Sequence, residues 1–116
     1  MSCMVDPMLV VPQPGFLVDT SVHDGHAFVQ LWGELDCASV QIADLELALV
    51  ADADWLTIDL RGLAFMDAAG LHLLLRAREH FPALRVVRGR PSVHRLFELT
   101  DLVRRFDFID GFELAA

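Results

Sequence analysis

The chain has 116 residues, of which 54% are hydrophobic and 22% are charged, and its formal net charge is −8 at pH 7. This length accommodates one domain with a substantial core but not a second catalytic domain, and the hydrophobic content excludes a disordered chain. The 17 acidic residues outnumber the 9 basic ones, so the surface repels phosphate groups and nucleic acid is a poor candidate for a partner.

The first segment differs from the rest of the chain. Residues 1–15 carry three prolines and end in a glycine, which predicts a flexible tail followed by a single domain over residues 16–116. The apolar residues 8–11 leave open an additional edge strand or a contact with a second copy, and therefore an oligomer. Neither a signal peptide nor an apolar window long enough to span a bilayer is present, so we expect a cytoplasmic protein without membrane insertion.

The domain begins with a predicted β-hairpin. Residues 16–22 and 26–33 alternate in the manner of half-buried strands. Between them, Asp24 and Gly25 form a dipeptide that strongly favours a two-residue hairpin turn. The pattern therefore predicts two antiparallel strands.

A helix over residues 37–51 is predicted to follow the hairpin. Asp36 suits the N-cap position, where a carboxylate accepts hydrogen bonds from unpaired backbone N–H groups. The predicted core face consists of apolar residues at helical spacing, namely Ile42, Leu45 and Leu49.

Strands and helices then alternate to the end of the domain. Residues 55–60 form a short apolar run typical of a central strand that is buried on both faces. Asp67 suits the N-cap of a second helix, which ends near Phe81 because Pro82 follows. A third helix is predicted at residues 91–100, and two further strands are predicted at residues 84–87 and 106–109.

The order β-β-α-β-α-β-α-β predicts an α/β fold. Right-handed crossovers between the later strands would build a mixed β-sheet with helices packed mainly on one face. The chain has no Gly-rich phosphate loop and no nucleophile with a basic neighbour, so neither catalysis nor a cofactor is expected. His23 and His26 flank the hairpin turn without a third ligand at suitable spacing, so no metal site is expected.

Three motifs stand in order along the domain. They read Gly-Glu-Leu-Asp at 33–36, Phe-Met-Asp-Ala-Ala-Gly-Leu at 65–71 and Pro-Ser-Val-His-Arg-Leu-Phe-Glu-Leu-Thr at 91–100. In this order and spacing they resemble the STAS family, named for sulfate transporters and anti-sigma-factor antagonists, and most closely its small bacterial antagonist branch. The resemblance covers about residues 16–112 and is more specific than any single motif.

The resemblance implies a non-enzymatic module that binds an anti-sigma factor, often one with a kinase fold, and thereby frees a sigma factor for transcription. In that family the second serine of the Asp-Ser-Ser-Gly motif is the phosphoacceptor. Here Ala68 and Ala69 occupy the two serine positions. Because Ala69 has no hydroxyl, the usual phosphorylation cannot occur at that position.

A phosphate at residue 69 would act through simple electrostatics. It would lie in the positive field of a helix N-terminus. It would also place negative charge close to Asp36 and Asp67 and could expel a partner. Without it, two interpretations remain: a constitutively competent antagonist, or a STAS accessory subunit of a membrane transporter or a larger signalling complex.

The predicted partner-binding surface is the N-terminal end of the second helix together with the loop after the second strand. An acidic rim around small apolar residues would let a partner backbone come close while charge steers its approach. Gly70 lies near a helix start, where glycine lowers helix propensity, so its presence suggests close approach of another backbone or of a partner. Ser39 is interpreted as a helix-surface residue. The predicted set comprises Glu34, Asp36, Asp67, Ala68, Ala69, Gly70 and Leu71.

Overall fold

In a computed structural model of the chain, residues 15–111 are described. Except for Gly15, the predicted tail lies outside this range. The strands are β1 (Phe16–His23), β2 (His26–Leu35), β3 (Trp55–Met66), β4 (Arg85–Val87) and β5 (Asp107–Ile109). The helices are α1 (Val40–Leu49), α2 (Ala68–His80) and α3 (Pro91–Leu99), and a 3-10 turn over Val103–Arg105 precedes β5.

The five strands form one mixed sheet in the order β1-β2-β3-β4-β5. β1 pairs with β2 in antiparallel fashion, and each later pair is parallel. Each crossover moves the chain by one strand in the same direction, so right-handed connections place all three helices on one face. The predicted mixed α/β sheet is confirmed.

The hairpin turn has the predicted chemistry. Asp24 and Gly25 both adopt positive φ angles, 50° and 79°, as a two-residue turn between twisted strands requires. The Gly25 carbonyl then accepts hydrogen bonds from the N–H groups of Asp54 (2.8 Å) and Trp55 (3.2 Å). The turn therefore also fixes the start of β3.

The core lies between the sheet and the helices. Ala27 and Val29 of β2 stand opposite Leu56 and Ile58 of β3, and all four are buried on the helix-covered face. Phe97 of α3 is fully buried and closes the other end of this layer. Its ring makes edge contacts with two aromatic rings near the end of the domain, those of Phe106 (5.4 Å) and Phe108 (5.0 Å).

Helix α1 differs from its prediction in both start and orientation. It begins at Val40, three positions later than expected, because residues 36–39 form a turn. The predicted core face was wrong: Leu45 and Leu49 are 51% and 78% exposed, whereas Ala43 is buried. The face of α1 that packs on the core is instead the stripe Val40, Ala43, Leu47 and Val50.

Strand β3 is longer than predicted. The sequence suggested an apolar connection after residue 60, but the strand continues to Met66 because β2 offers a pairing partner along this whole stretch. Gly62 pairs with Trp32 and Met66 with Leu35. Within residues 15–111, no helix has the length and apolar character needed to cross a bilayer.

Candidate functional site

The site forms where two parallel strands end side by side. Leu35 at the end of β2 pairs with Met66 at the end of β3, and the Asp67 N–H donates to the Leu35 carbonyl (3.2 Å). Asp36 and Asp67 each follow one of these paired residues. Parallel pairing therefore brings the two carboxylates to the same edge of the sheet.

Asp67 caps helix α2. Its Oδ1 accepts hydrogen bonds from the backbone N–H groups of Ala69 (2.9 Å) and Gly70 (3.4 Å). A carboxylate here satisfies otherwise unpaired donors and interacts favourably with the positive end of the helix dipole. The predicted N-cap role of Asp67 is confirmed.

Asp36 organises the turn before α1 rather than the helix itself. Its Oδ1 accepts hydrogen bonds from the backbone N–H groups of Ala38 (3.0 Å) and Ser39 (3.1 Å). The Ser39 hydroxyl donates to the Glu34 carbonyl (2.7 Å) and is buried. The interpretation of Ser39 as a helix-surface residue was therefore wrong, and the loop after β2 is held by its own hydrogen bonds.

The predicted partner-binding residues fall into an outer and an inner set. Glu34 and Ala68 are exposed, and the side chains in the middle of the surface are half-buried, namely Asp36, Asp67 and Ala69. Gly70 and Leu71 are buried and support this surface from the core side. Ala69 is thus neither enclosed nor remote from the surface.

The core explains why residue 70 is a glycine. A Cβ atom added to Gly70 would lie 2.6 Å from Met66 Cγ and 3.0 Å from Leu35 Cγ. The sequence suggested a close approach at this glycine, and two side chains of this chain make one. Gly70 therefore lets α2 start directly against the ends of β2 and β3.

A groove beside this surface was missed by the sequence analysis. It encloses about 170 Å³ between the end of β3 and helix α3. Phe65 and Leu99 remain 48% and 71% exposed at it. The available signal was Leu99, an apolar residue that lies off the buried stripe of α3. The lining residues are Ala64, Phe65, Met66, Ser92, Arg95, Leu96 and Leu99.

A family model of the STAS domain matches residues 18–115. The chain belongs to the STAS family. A search of curated proteins finds no match.

Solved STAS relatives share the fold over most of the chain. An anti-sigma factor antagonist from Mycobacterium paratuberculosis is 25% identical, with a TM-score of 0.78 that covers 90% of this chain and 95% of that one. The anti-sigma factor antagonist SpoIIAA in its unphosphorylated form is 20% identical, with a TM-score of 0.69 over 86% of this chain and 92% of its own. The Bacillus cell fate determinant SpoIIAA in the phosphorylated form is 19% identical, with a TM-score of 0.64 over 86% and 96% of the two chains.

A charged pair of the STAS domain lies on the helix-free face of its sheet. Asp59 is buried and accepts hydrogen bonds from Arg61 Nη2 (2.7 Å) and Nε (3.0 Å). Burial alone would raise the pKa of Asp59, but the hydrogen bonds and charge of Arg61 outweigh it and hold the pKa below its usual value. The pair is a structural ion pair, and within the described range no group of three or more side chains is arranged to bind a metal.

Proposed function

We propose that this STAS domain is a non-enzymatic cytoplasmic regulator that binds an anti-sigma factor, including one of the kinase type, and thereby releases a sigma factor. One observation carries the proposal. The accessible Ala68 and Ala69 lie at the capped N-terminus of α2, beside Asp36 and Asp67, on a fold shared with anti-sigma factor antagonists.

The chemistry of this surface suits a protein partner. Small side chains at residues 68 and 69 allow a partner backbone to come close, and the carboxylates of Glu34, Asp36 and Asp67 steer a basic surface toward it. Among residues 15–111, the centre of the surface consists of two alanines beside carboxylates. The arrangement therefore supports docking rather than bond-making chemistry.

We further propose that docking is constitutive. SpoIIAA is known in a phosphorylated form, whereas residue 69 of this chain is an alanine without a phosphate-accepting oxygen. Ser39, the hydroxyl nearest in sequence to Asp36, is buried and hydrogen-bonded. Regulation would then depend on the amount of the protein or on its partner.

Displacement of a sigma factor tests the proposal. The purified chain is titrated into complexes of each anti-sigma factor encoded in the same genome with its sigma factor, and free sigma factor is measured. We expect release from at least one complex, and we expect Ala69→Glu to prevent it because the new carboxylate imitates a phosphate charge. Binding to no anti-sigma factor, together with association with a permease, would instead support a transporter accessory subunit.

A phosphorylation assay tests the constitutive part separately. With a kinase-type anti-sigma factor and labelled ATP, the parent chain should stay unlabelled and Ala69→Ser should become labelled. Label on the parent chain would contradict constitutive docking even if sigma factor release is observed.

A further inference from the structure

The groove between the end of β3 and α3 continues the proposed docking surface. Met66 lines the groove, and the next residue, Asp67, caps α2 at the centre of that surface. Phe65 and Leu99 stand at the groove with about half or more of their surface in water. Among residues 15–111, no side chain covers this apolar area, and Met66 places it two residues before Ala68.

Charge is distributed unevenly along the sequence. Residues 1–60 contain ten carboxylates and no lysine or arginine, whereas residues 88–105 contain five arginines and only two carboxylates. Arg90 and Arg95 are exposed at the start and middle of α3, and neither forms an ion pair with any residue between 15 and 111. The proposed docking surface is therefore acidic at the end of β2 and carries two arginines, Arg90 and Arg95, along the first half of α3, whereas Glu98 stands in the last turn of that helix.

We propose that the groove receives an apolar side chain of the same partner protein, flanked on that partner by carboxylates that face Arg90 and Arg95. The inference rests on the proposed function and specifies the partner: its contact surface is bipolar, basic opposite Asp36 and Asp67 and acidic opposite α3. At about 170 Å³, the groove is smaller than the roughly 300–1,000 Å³ of typical small-molecule pockets. It suits one protruding side chain better than a free ligand.

Paired leucine substitutions test the apolar contact. The dissociation constant is measured with the anti-sigma factor that passes the displacement experiment. Leu99→Lys should raise it by roughly tenfold or more, because a charge then replaces a buried anchor. Leu49→Lys, at the 78% exposed position on the outer side of α1, is the matched control and should change it by less than about twofold.

Charge reversal decides between a bipolar and a uniformly basic partner. Arg95→Glu should weaken binding if carboxylates face α3, but it should strengthen binding if the whole partner surface is basic. Arg78→Glu on α2, also exposed, is the control for the change in net charge. Tighter binding by Arg95→Glu overturns the inference.

The variants separate failure of this inference from failure of the proposed function. If Ala69→Glu weakens binding while Leu99→Lys and Arg95→Glu do not, the groove is not used and the proposed function stands. If no anti-sigma factor binds the parent chain, both fall. If Leu99→Lys instead dissociates an oligomer of the parent chain in sedimentation measurements, the groove binds a second copy and the inference is wrong.

Discussion

At the scale of the residue, Asp101 holds a left-handed backbone conformation that glycine would adopt at lower cost. It has a φ angle of 58° directly after α3. The Asp101 N–H donates to the Glu98 carbonyl (3.2 Å) and the Leu102 N–H to the Phe97 carbonyl (2.9 Å), which is the hydrogen-bond pattern of a Schellman motif. Glycine is the preferred residue here, and a carboxylate is also unfavourable beside a helix C-terminus.

Asp101→Gly should therefore raise the free energy of unfolding by about 0.5–1 kcal/mol. Asp101→Ala removes the same charge but retains a Cβ in the left-handed conformation, and it should not stabilise the protein. Urea denaturation followed by circular dichroism measures both. Equal stabilisation by the two variants would show that charge, and not backbone conformation, limits stability at this position.

Gly70 illustrates a packing requirement at the same scale. In Gly70→Ala, the new Cβ would meet Met66 Cγ and Leu35 Cγ, at an overpacking cost of about 1–3 kcal/mol. The gain in helix propensity is only about 1 kcal/mol, so we expect a net loss of stability of about 1 kcal/mol. His72→Ala, at an exposed position of α2, controls for propensity, and stabilisation by Gly70→Ala would contradict the packing explanation.

At the scale of the element, α1 shows why a correct helix can be given the wrong face. Residues 40–50 are apolar at most positions, so several stripes fit the helical period. The stripe that packs on the core consists of Val40, Ala43, Leu47 and Val50. Two polar contacts accompany this orientation: Asp44 accepts from Arg76 of α2 (3.0 Å), and Glu46 accepts from Thr20 of β1 (3.0 Å). These long-range partners cannot be identified from local periodicity.

The corrected orientation predicts opposite outcomes for one kind of substitution. Leu49→Ala should change the free energy of unfolding by less than about 0.5 kcal/mol, because the side chain is mostly in water. Leu73→Ala, at a buried position of α2, should cost about 2–5 kcal/mol. Thermal and urea denaturation of the two variants would check this, and a large loss in Leu49→Ala would restore the face predicted from the sequence.

The same limit applies to the docking surface. Asp67 was predictable because a short acidic side chain directly before an apolar helix is a local cap signal. The groove was not, since Phe65 and Leu99 belong to elements that are distant in sequence and meet only after β3 and α3 pack together. Local chemistry therefore indicated the centre of the proposed docking surface, whereas the groove beside it arises only from tertiary packing.

At the scale of the whole molecule, the topology was accessible from the sequence because the elements alternate with few ambiguities. Each crossover has only one favoured hand, so the order of elements fixes which face the helices cover. The order of the elements does not predict which side chains contact each other in the folded protein. His94, for example, is an ordinary α3 residue in the sequence but lies in an aromatic cluster with Phe97 (6.0 Å) and Phe108 (4.8 Å).

This position of His94 links the stability of the whole domain to pH. Burial, followed by the positive charge of Arg88, lowers the pKa of His94 below its ordinary value of 6.5, although Glu98 opposes the effect. Its Nδ1 is buried without a hydrogen-bond partner between residues 15 and 111. The folded state therefore binds the proton less readily than the unfolded state. The contribution of His94 to stability is complete above pH 6.5 and is lost as the pH falls through its lowered pKa.

The free energy of unfolding of the parent chain should consequently decrease between pH 7.5 and pH 5. His94→Phe retains the ring contacts and removes the titrating group, so its stability should fall less over the same interval. Urea midpoints at several pH values measure the two slopes. A second loss is expected below the ordinary Asp59 pKa of 3.8, where protonation ends its ion pair with Arg61. Identical slopes for the parent and His94→Phe between pH 7.5 and pH 5 would mean that the first loss arises elsewhere in the molecule.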